Sequence, residues 1–322
     1  MGTPFISVII PTHDRPDELA VALASLAGQS FTDFEAVVVN DGAQDVADVV
    51  GRSPLKRVRL LRTVGDLGPS LARNAGLAEA RGQVVAYLDD DDIYRPDHLA
   101  VHAECYDEDP ELRVAYTDGE RLVIGETGQV LDRPHSRDFD ADALLVQNYI
   151  PVICLSHYRA CLDETGLFEP SLTYLEDWDL FIRLALRWPF RHVPRVTTLY
   201  RERRNGGSVR ERHACRFVES LNTVYARSAA LLAGDPARLE RVTDLRLTRV
   251  GEMTYVTGQA YEQAGDRVGA LHAYELAARY EPRPEYYLAQ ARIHKGAGNK
   301  AAALMAARLA EDCRLMSGAG AD

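Results

Sequence analysis

The sequence predicts an α/β fold, a doubly wound and mostly parallel sheet, followed by an α-helical, repeat-like C-terminal region. Three observations carry this expectation. Short apolar strands alternate with helical patterns through the first third; turn residues or acids stop two of those strands abruptly; and from about position 209 the chain reads as helix throughout. The predicted domains are residues 1–208 and 209–322.

The elements follow in order. Residues 5–10 are a β-branched run that stops at Pro11. Residues 17–27 carry Leu19, Leu23 and Leu26 at helical spacing. Residues 34–39 form a second apolar strand, closed by Asn40, Asp41 and Gly42. Residues 58–62 read as a third strand, 70–80 as an Ala-rich helix ended by Gly82, and 84–88 as a fourth strand. Ligands of such sheets sit beyond the carboxyl ends of the strands. Asp41 and the acids at 89–92 are therefore expected on the ligand edge. Between positions 100 and 200 the pattern is mixed. Residues 114–117 and 120–124 look like two strands, a helix runs on from Tyr174 through Leu180, Ile182, Leu184 and Leu186, and 196–200 is a last strand.

The helical tail holds an internal repeat. Gly258, Tyr261, Gly265, Asp266, Ala270, Ala273 and Ala277 are echoed 33 positions later by Ala291, His294, Gly298, Asn299, Ala303, Ala306 and Ala310. Small residues at fixed places let paired helices pack closely. The spacing resembles tetratricopeptide repeats, and the alternative is an ordinary Ala-rich helical hairpin.

The run Asp89-Asp90-Asp91-Asp92 ends the fourth strand. Four adjacent carboxylates repel one another, and loop solubility needs nothing so concentrated. At the carboxyl end of a buried strand the cluster makes sense if it seats Mg²⁺ or Mn²⁺, hard ions that take oxygen ligands and often share them with substrate phosphates. The alternative is a solvated acidic turn that caps the next helix.

Composition narrows the function. A net charge of −11 opposes general nucleic-acid binding, which needs a basic footprint. Cys105, Cys154, Cys161, Cys215 and Cys313 are scattered and form no C-x-x-C pair, as expected of reduced thiols in a cytoplasmic protein. The opening residues lack a signal peptide's charged and apolar regions, and no apolar run reaches the ~18 residues of a membrane helix. Any membrane contact is expected to be peripheral, at the inner face.

Five segments together resemble the inverting glycosyltransferases of family 2, with the GT-A fold. They are residues 7–12 (SVIIPT), 39–43 (VNDGA), 68–74, 88–96 and 174–180 (YLEDWDL), and the resemblance covers roughly residues 5–205. It implies transfer of a sugar from a nucleotide donor, commonly UDP-linked, to an acceptor hydroxyl on a glycan or glycolipid, with inversion and with Mn²⁺ or Mg²⁺. By the resemblance, Asp89 and Asp91 are the outer acids of the D-x-D motif, Asp91 is the direct metal ligand, and Asp90 faces the donor ribose or sugar. Asp92 caps the next helix. Pro11, His13 and Asp41 line the base pocket, where Asp41 accepts from the uracil imide. Arg73 faces the nucleotide, Asn74 holds neighbouring loops, and Asp177 is the base. Glu176 and Asp179 read as first-turn acids, and Trp178 as a sugar platform or core.

One position departs from the family pattern. Where Tyr-Arg-x-His is common, this chain has Tyr200-Arg201-Glu202-Arg203. Arginine has no lone pair for a cation, so Arg203 is expected on the diphosphate instead. Gly206, Gly207 and Ser208 then suggest a closing loop, and Arg210, Arg212 and Arg216 a solvated basic face. Two alternatives stand beside this reading. A sugar-phosphate nucleotidyltransferase would open with a Gly-rich loop, which residues 11–15 lack. A catalytically weak scaffold would bind a protein partner, or a second copy, through the helical tail.

Overall fold

The computed structural model describes residues 2–125, 128–131, 136–203 and 214–318. The chain divides into two compact units, residues 1–231 and 232–322.

In the first unit, β1 (Ile6–Thr12), α1 (Pro16–Ala27), β2 (Phe34–Asn40), α2 (Ala47–Arg52), β3 (Val58–Arg62), α3 (Pro69–Glu79) and β4 (Val84–Tyr87) alternate, α2 being a short helix that the sequence pattern did not announce. The four strands pair in parallel, in the order β3-β2-β1-β4. Val8, Ile9, Ile10, Val37, Val38, Val84, Val85 and Ala86 are all fully buried. Strands covered on both faces read as continuous apolar runs, which is why this half was legible from periodicity. Gly76 brings α3 close to the sheet: a Cβ there would lie 2.6 Å from Ile9 Cγ2 and 3.1 Å from Val39 Cγ2.

Beyond β4 come β5 (Ile93–Tyr94), α4 (His98–Glu108), β6 (Val114–Gly125), β7 (Gly128–Leu131), α5 (Ala141–Val146), β8 (Leu155–Tyr158), α6 (Cys161–Thr165), α7 (Glu176–Ala185), β9 (Phe190–Arg203) and α8 (Ala214–Leu231). The sheet continues as β4-β8-β6-β9-β5, with β7 paired to β6. β8 is antiparallel to both β4 and β6, and β9 is parallel to β6 but antiparallel to β5, so the complete sheet is mixed.

The two strands expected at 114–117 and 120–124 are one strand, β6. The Asp118-Gly119 pair between them is a register shift against β9. Gly119 is there for close approach, since a Cβ would lie 2.7 Å from Thr198 Oγ1 and 2.9 Å from Cys154 Sγ. β9 starts at Phe190 rather than 196. Its pairing passes from Thr117 with Val193 to Asp118 with Val196, and this irregularity accommodates Pro194, which could not donate to the ladder.

α8 belongs to the first unit, so the observed division falls after Leu231 rather than at 208/209. Tyr225 packs edge-on against Trp178 at 5.7 Å, and Arg227 Nε donates to Asp179 Oδ1 at 2.8 Å.

The second unit comprises α9 (Pro236–Gln263), α10 (Arg267–Tyr280), α11 (Pro284–Gly296) and α12 (Lys300–Gly318). Ala270, Tyr274, Ala289 and Ile293 form its core. The 33-residue repeat is visible in the turns. Gly265 and Gly298 take φ of 83° and 78°, and the next residue caps a helix in each case. Asp266 accepts from Gly269 N at 2.9 Å and Asn299 from Ala302 N at 3.2 Å. The bonds Asp266 N to Tyr261 O and Asn299 N to His294 O, both 2.9 Å, are likewise equivalent.

Among the described residues no helix is long and apolar enough to cross a membrane.

Candidate active site

Strand order reverses beside β1: the chain passes from β1 to β2 on one side and later returns to β4 on the other. A crevice at such a switch point is where open α/β sheets bind ligands. Here it brings the loop after β1 against the acids after β4. Thr12 Oγ1 donates to Asp90 Oδ2 at 2.8 Å, and His13 N to the same oxygen at 3.4 Å. Arg15 Nη1 reaches both Asp90 Oδ1, at 3.2 Å, and Asp91 Oδ2, at 2.8 Å.

The four acids are not equivalent. The Asp90 side chain is 7% exposed, whereas those of Asp91 and Asp89 are 40% and 28% exposed. Burial, then the neighbouring Asp89, pushes the Asp91 carboxyl up to about 6, with Arg15 opposing. The accessible carboxylate oxygens of this corner belong to Asp91 and Asp89, so these are the residues that could hold a hard divalent ion. Asp92 is buried, and burial followed by Asp91 holds its carboxyl well above the usual range. It does not cap α4, whose N-cap residue is Asp97; it accepts from Arg201 N at 2.9 Å instead. The Arg201 guanidinium donates in turn to the Asp91 carbonyl. The end of β9 is thus pinned over the acids. The Arg203 side chain and residues 204–213 lie outside the described residues.

A second set, His13, Asp41 and Asp66, brings one ligand atom each within 4.8 Å. Asp41 is already used there. It accepts from Leu67 N at 3.0 Å, Gly68 N at 2.8 Å and the Thr63 hydroxyl, which makes it a clasp for the loop ahead of α3. His13 Nδ1 donates to the Asp41 carbonyl at 3.1 Å. Pro11, on β1 opposite Val39, completes this group at the ends of β1 and β2.

Arg73 joins the acid corner to α7. It is buried in α3, and its Nη2 lies 2.7 Å from Asp89 Oδ1 and its Nη1 2.6 Å from Glu176 Oε1. Glu176 is therefore half of a buried ion pair rather than a solvated first-turn acid. Asp179 likewise pairs with Arg183 at 2.8 Å and with Arg227. Asp177 lies between them in sequence, held by Trp178 N on Oδ1 at 2.7 Å and by Asn148 Nδ2 on Oδ2 at 3.1 Å. Burial first, then Glu176, pushes its carboxyl up to about 7, with Arg73 opposing. The residue before α7, Leu175, takes φ of 64°, a left-handed conformation that a bulky side chain tolerates only when its surroundings impose it. Trp178 is core: it is 2% exposed and its Nε1 donates to the Leu144 carbonyl at 2.6 Å. Asn74 clamps the loop before α7, donating to the Phe168 carbonyl at 2.8 Å and accepting from Phe168 N at 3.0 Å.

Thr12, Arg15, Asn148 and Glu176 are site residues that the sequence did not single out for these contacts. For Arg15 a signal existed, a basic residue directly after the first strand, on the same edge as the acid run.

Residues 7–161 match the model of Glycosyl transferase family 2. The chain is 28% identical over 269 residues to the uncharacterized glycosyltransferase YwdF of Bacillus subtilis, covering 78% of this chain and 97% of that protein. It is 37% identical over 97 residues to the succinoglycan biosynthesis protein ExoO of Rhizobium meliloti, 30% of this chain and 28% of that one. Among solved structures, S. aureus TarS residues 1–349 superimpose with a TM-score of 0.63 at 18% identity, covering 94% of this chain and 90% of that one. Further structures of that TarS segment hold UDP and UDP-GlcNAc. The mannosyltransferase PcManGT of Pyrobaculum calidifontis, in complex with GDP-Man and Mn²⁺, gives 0.57 at 18% identity over 96% of this chain and 86% of that one. At such identities the structural likeness establishes the GT-A-like fold. The match over residues 7–161 and the relatives named as glycosyltransferases identify the chain as a glycosyltransferase.

Proposed function

We propose that this glycosyltransferase acts by a single inverting displacement, with a UDP-linked sugar as donor, a divalent cation at Asp91 and Asp89, and Asp177 as general base. One observation carries the reading: Asp177, with its proton affinity raised to about 7, stands one residue from Glu176, which Arg73 ties to Asp89. A base tuned near neutrality is thereby linked to the corner that would hold the departing diphosphate.

The steps follow from the residues. The acceptor oxygen attacks the anomeric carbon opposite the leaving group while its proton passes to Asp177. The bond from that carbon to the diphosphate oxygen breaks, and its electron pair leaves with the nucleoside diphosphate. A bound Mn²⁺ or Mg²⁺ supplies charge neutralisation for the diphosphate. Asn148 and the Trp178 amide fix the Asp177 carboxylate, and Arg73 holds Asp89 in place. Pro11, His13 and Asp41 are the base-pocket residues, with Asp41 released from part of its loop clasp to meet the uracil. Asp90 faces the ribose or sugar, and Arg203 binds phosphate. The neighbours that hold UDP and UDP-GlcNAc support the donor class. The likeness to a succinoglycan biosynthesis protein supports a glycan or glycolipid acceptor, the latter met at a membrane surface.

A thermal-shift panel of nucleotide sugars, with and without Mn²⁺, tests the donor and the ion together. Stabilisation by UDP-sugars that requires Mn²⁺ is expected. Asp177→Asn should keep that stabilisation and lose transfer, while Asp91→Asn should lose the Mn²⁺-dependent stabilisation and transfer together. Full transfer by either variant refutes its role.

A further inference from the structure

Arg15 stands at the acid corner without a place in the displacement. It is the N-cap residue of α1, a position that favours short polar side chains, and it supplies no capping bond from its side chain. Its fold contribution is a carbonyl, which accepts from Leu19 N at 3.0 Å. Its guanidinium reaches instead across the switch-point crevice, where one nitrogen, Nη1, serves both Asp91 and Asp90.

The two acids hold it differently. Asp90 also accepts from Thr12 Oγ1 and His13 N and is nearly closed to solvent. Asp91 is 40% exposed, and among the described residues Arg15 supplies the one side-chain hydrogen bond it accepts. A cation arriving from solvent therefore meets Asp91, and meets Arg15 already there. A donor shared between two acceptors binds each less tightly, and a half-exposed ion pair is worth little, so release from Asp91 is cheap while Asp90 keeps its hold.

We propose that Arg15 is a resident counter-cation: it neutralises Asp91 in the ion-free protein, competes with the divalent cation for that carboxylate, and so sets the affinity of the site. This rests on the reading of Asp91 as a cation ligand. Displaced from Asp91 but still anchored on Asp90, the guanidinium stays beside the ion.

The test is Mn²⁺ binding to the full chain without nucleotide, followed by electron paramagnetic resonance of the free ion. Removing one adjacent positive charge at a half-exposed site should tighten Mn²⁺ binding about tenfold in Arg15→Ala. Arg15→Lys keeps the charge and should bind like the wild type, and the gap between wild type and Arg15→Ala should shrink as salt is raised. Thr12 and His13 still hold Asp90 in both variants, so both should fold; Arg15→Lys should melt near the wild-type temperature and Arg15→Ala somewhat below it, because Asp90 loses its cation. Arg15→Ala binding Mn²⁺ no tighter than wild type overturns the proposal. Asp91→Asn separates the two ideas. If it loses Mn²⁺ while Arg15→Ala is unchanged, only the counter-cation role fails. If it binds like the wild type, or if no form of the protein binds, the cation reading of Asp91 fails and this inference goes with it.

Discussion

The role proposed for Asp177 depends on its burial. Burial and Glu176 hold its proton to about pH 7, far above the ~3.9 of an unfolded aspartate. From roughly pH 4 to 7 the unfolded chain gives up that proton and the folded chain keeps it, so stability falls as pH rises through this window. Above about 7 the carboxylate is ionised in both states and the whole penalty is present. Two outcomes follow for one residue. The acid limb of the kcat profile should bend near pH 7, since only the ionised form can take a proton. Asp177→Asn removes the penalty, so its melting temperature relative to wild type should be higher at pH 8 than at pH 5. A difference independent of pH would place the tuning elsewhere. Arg73 belongs to the same argument. Its two carboxylate partners are held at opposite ends of one guanidinium, a geometry that lysine cannot copy. Arg73→Ala should cost about 3–5 kcal/mol in urea melts, because it leaves partly buried carboxylates unpaired. Arg73→Lys should recover only part of that.

At the scale of elements, the repeated turns of the second unit give the sharpest comparison. Asp266 and Asn299 cap α10 and α12 from equivalent positions, each after a left-handed glycine. Asp266→Ala and Asn299→Ala should each lower stability by about 1 kcal/mol, and to a similar extent, as read from denaturant midpoints. Unequal losses would mean that the two turns are alike in outline only. The same elements show what a sequence reveals and what it hides. The Gly-Asx pairs were legible because turn chemistry is local, and β3 was found at its true bounds because Val58, Leu60 and Leu61 stand between charged and polar flanks. α4 was missed because it buries His98 and His102 where apolar residues would have marked the period. β5 has two residues and no period at all. In the site, adjacent acids at a strand end announced themselves through a repulsion with no local use. Arg15 and Glu176 gave little sign, since their partners lie 76 and 103 residues away and only the closed sheet brings them together.

For the whole molecule, the decisive question is where the catalytic unit ends. Sequence periodicity placed the change at 208/209, because helical pattern takes over there. Periodicity reports what kind of element a segment forms, not which core it joins. α8 joins the first: Trp178, almost wholly buried, rests edge-on against Tyr225, and the Tyr225 hydroxyl donates to the Val146 carbonyl at 2.9 Å. Arg227 reaches both Asp179 and Glu169, at 2.8 Å each, which ties α8 to α7 and to the loop before it. That loop and helix carry Asp177. A chain cut after residue 231 should therefore melt in one cooperative transition and keep nucleotide-dependent stabilisation, whatever the second unit contributes. A chain cut after residue 208 loses the Tyr225 and Arg227 contacts, bares the Trp178 face and leaves Asp179 with Arg183 alone. It should lose several kcal/mol of stability, in the range for stripping a buried aromatic of its packing, and bind nucleotide poorly. Size-exclusion profiles and thermal melts of the two chains side by side decide it, and equal behaviour would move the boundary back to 208.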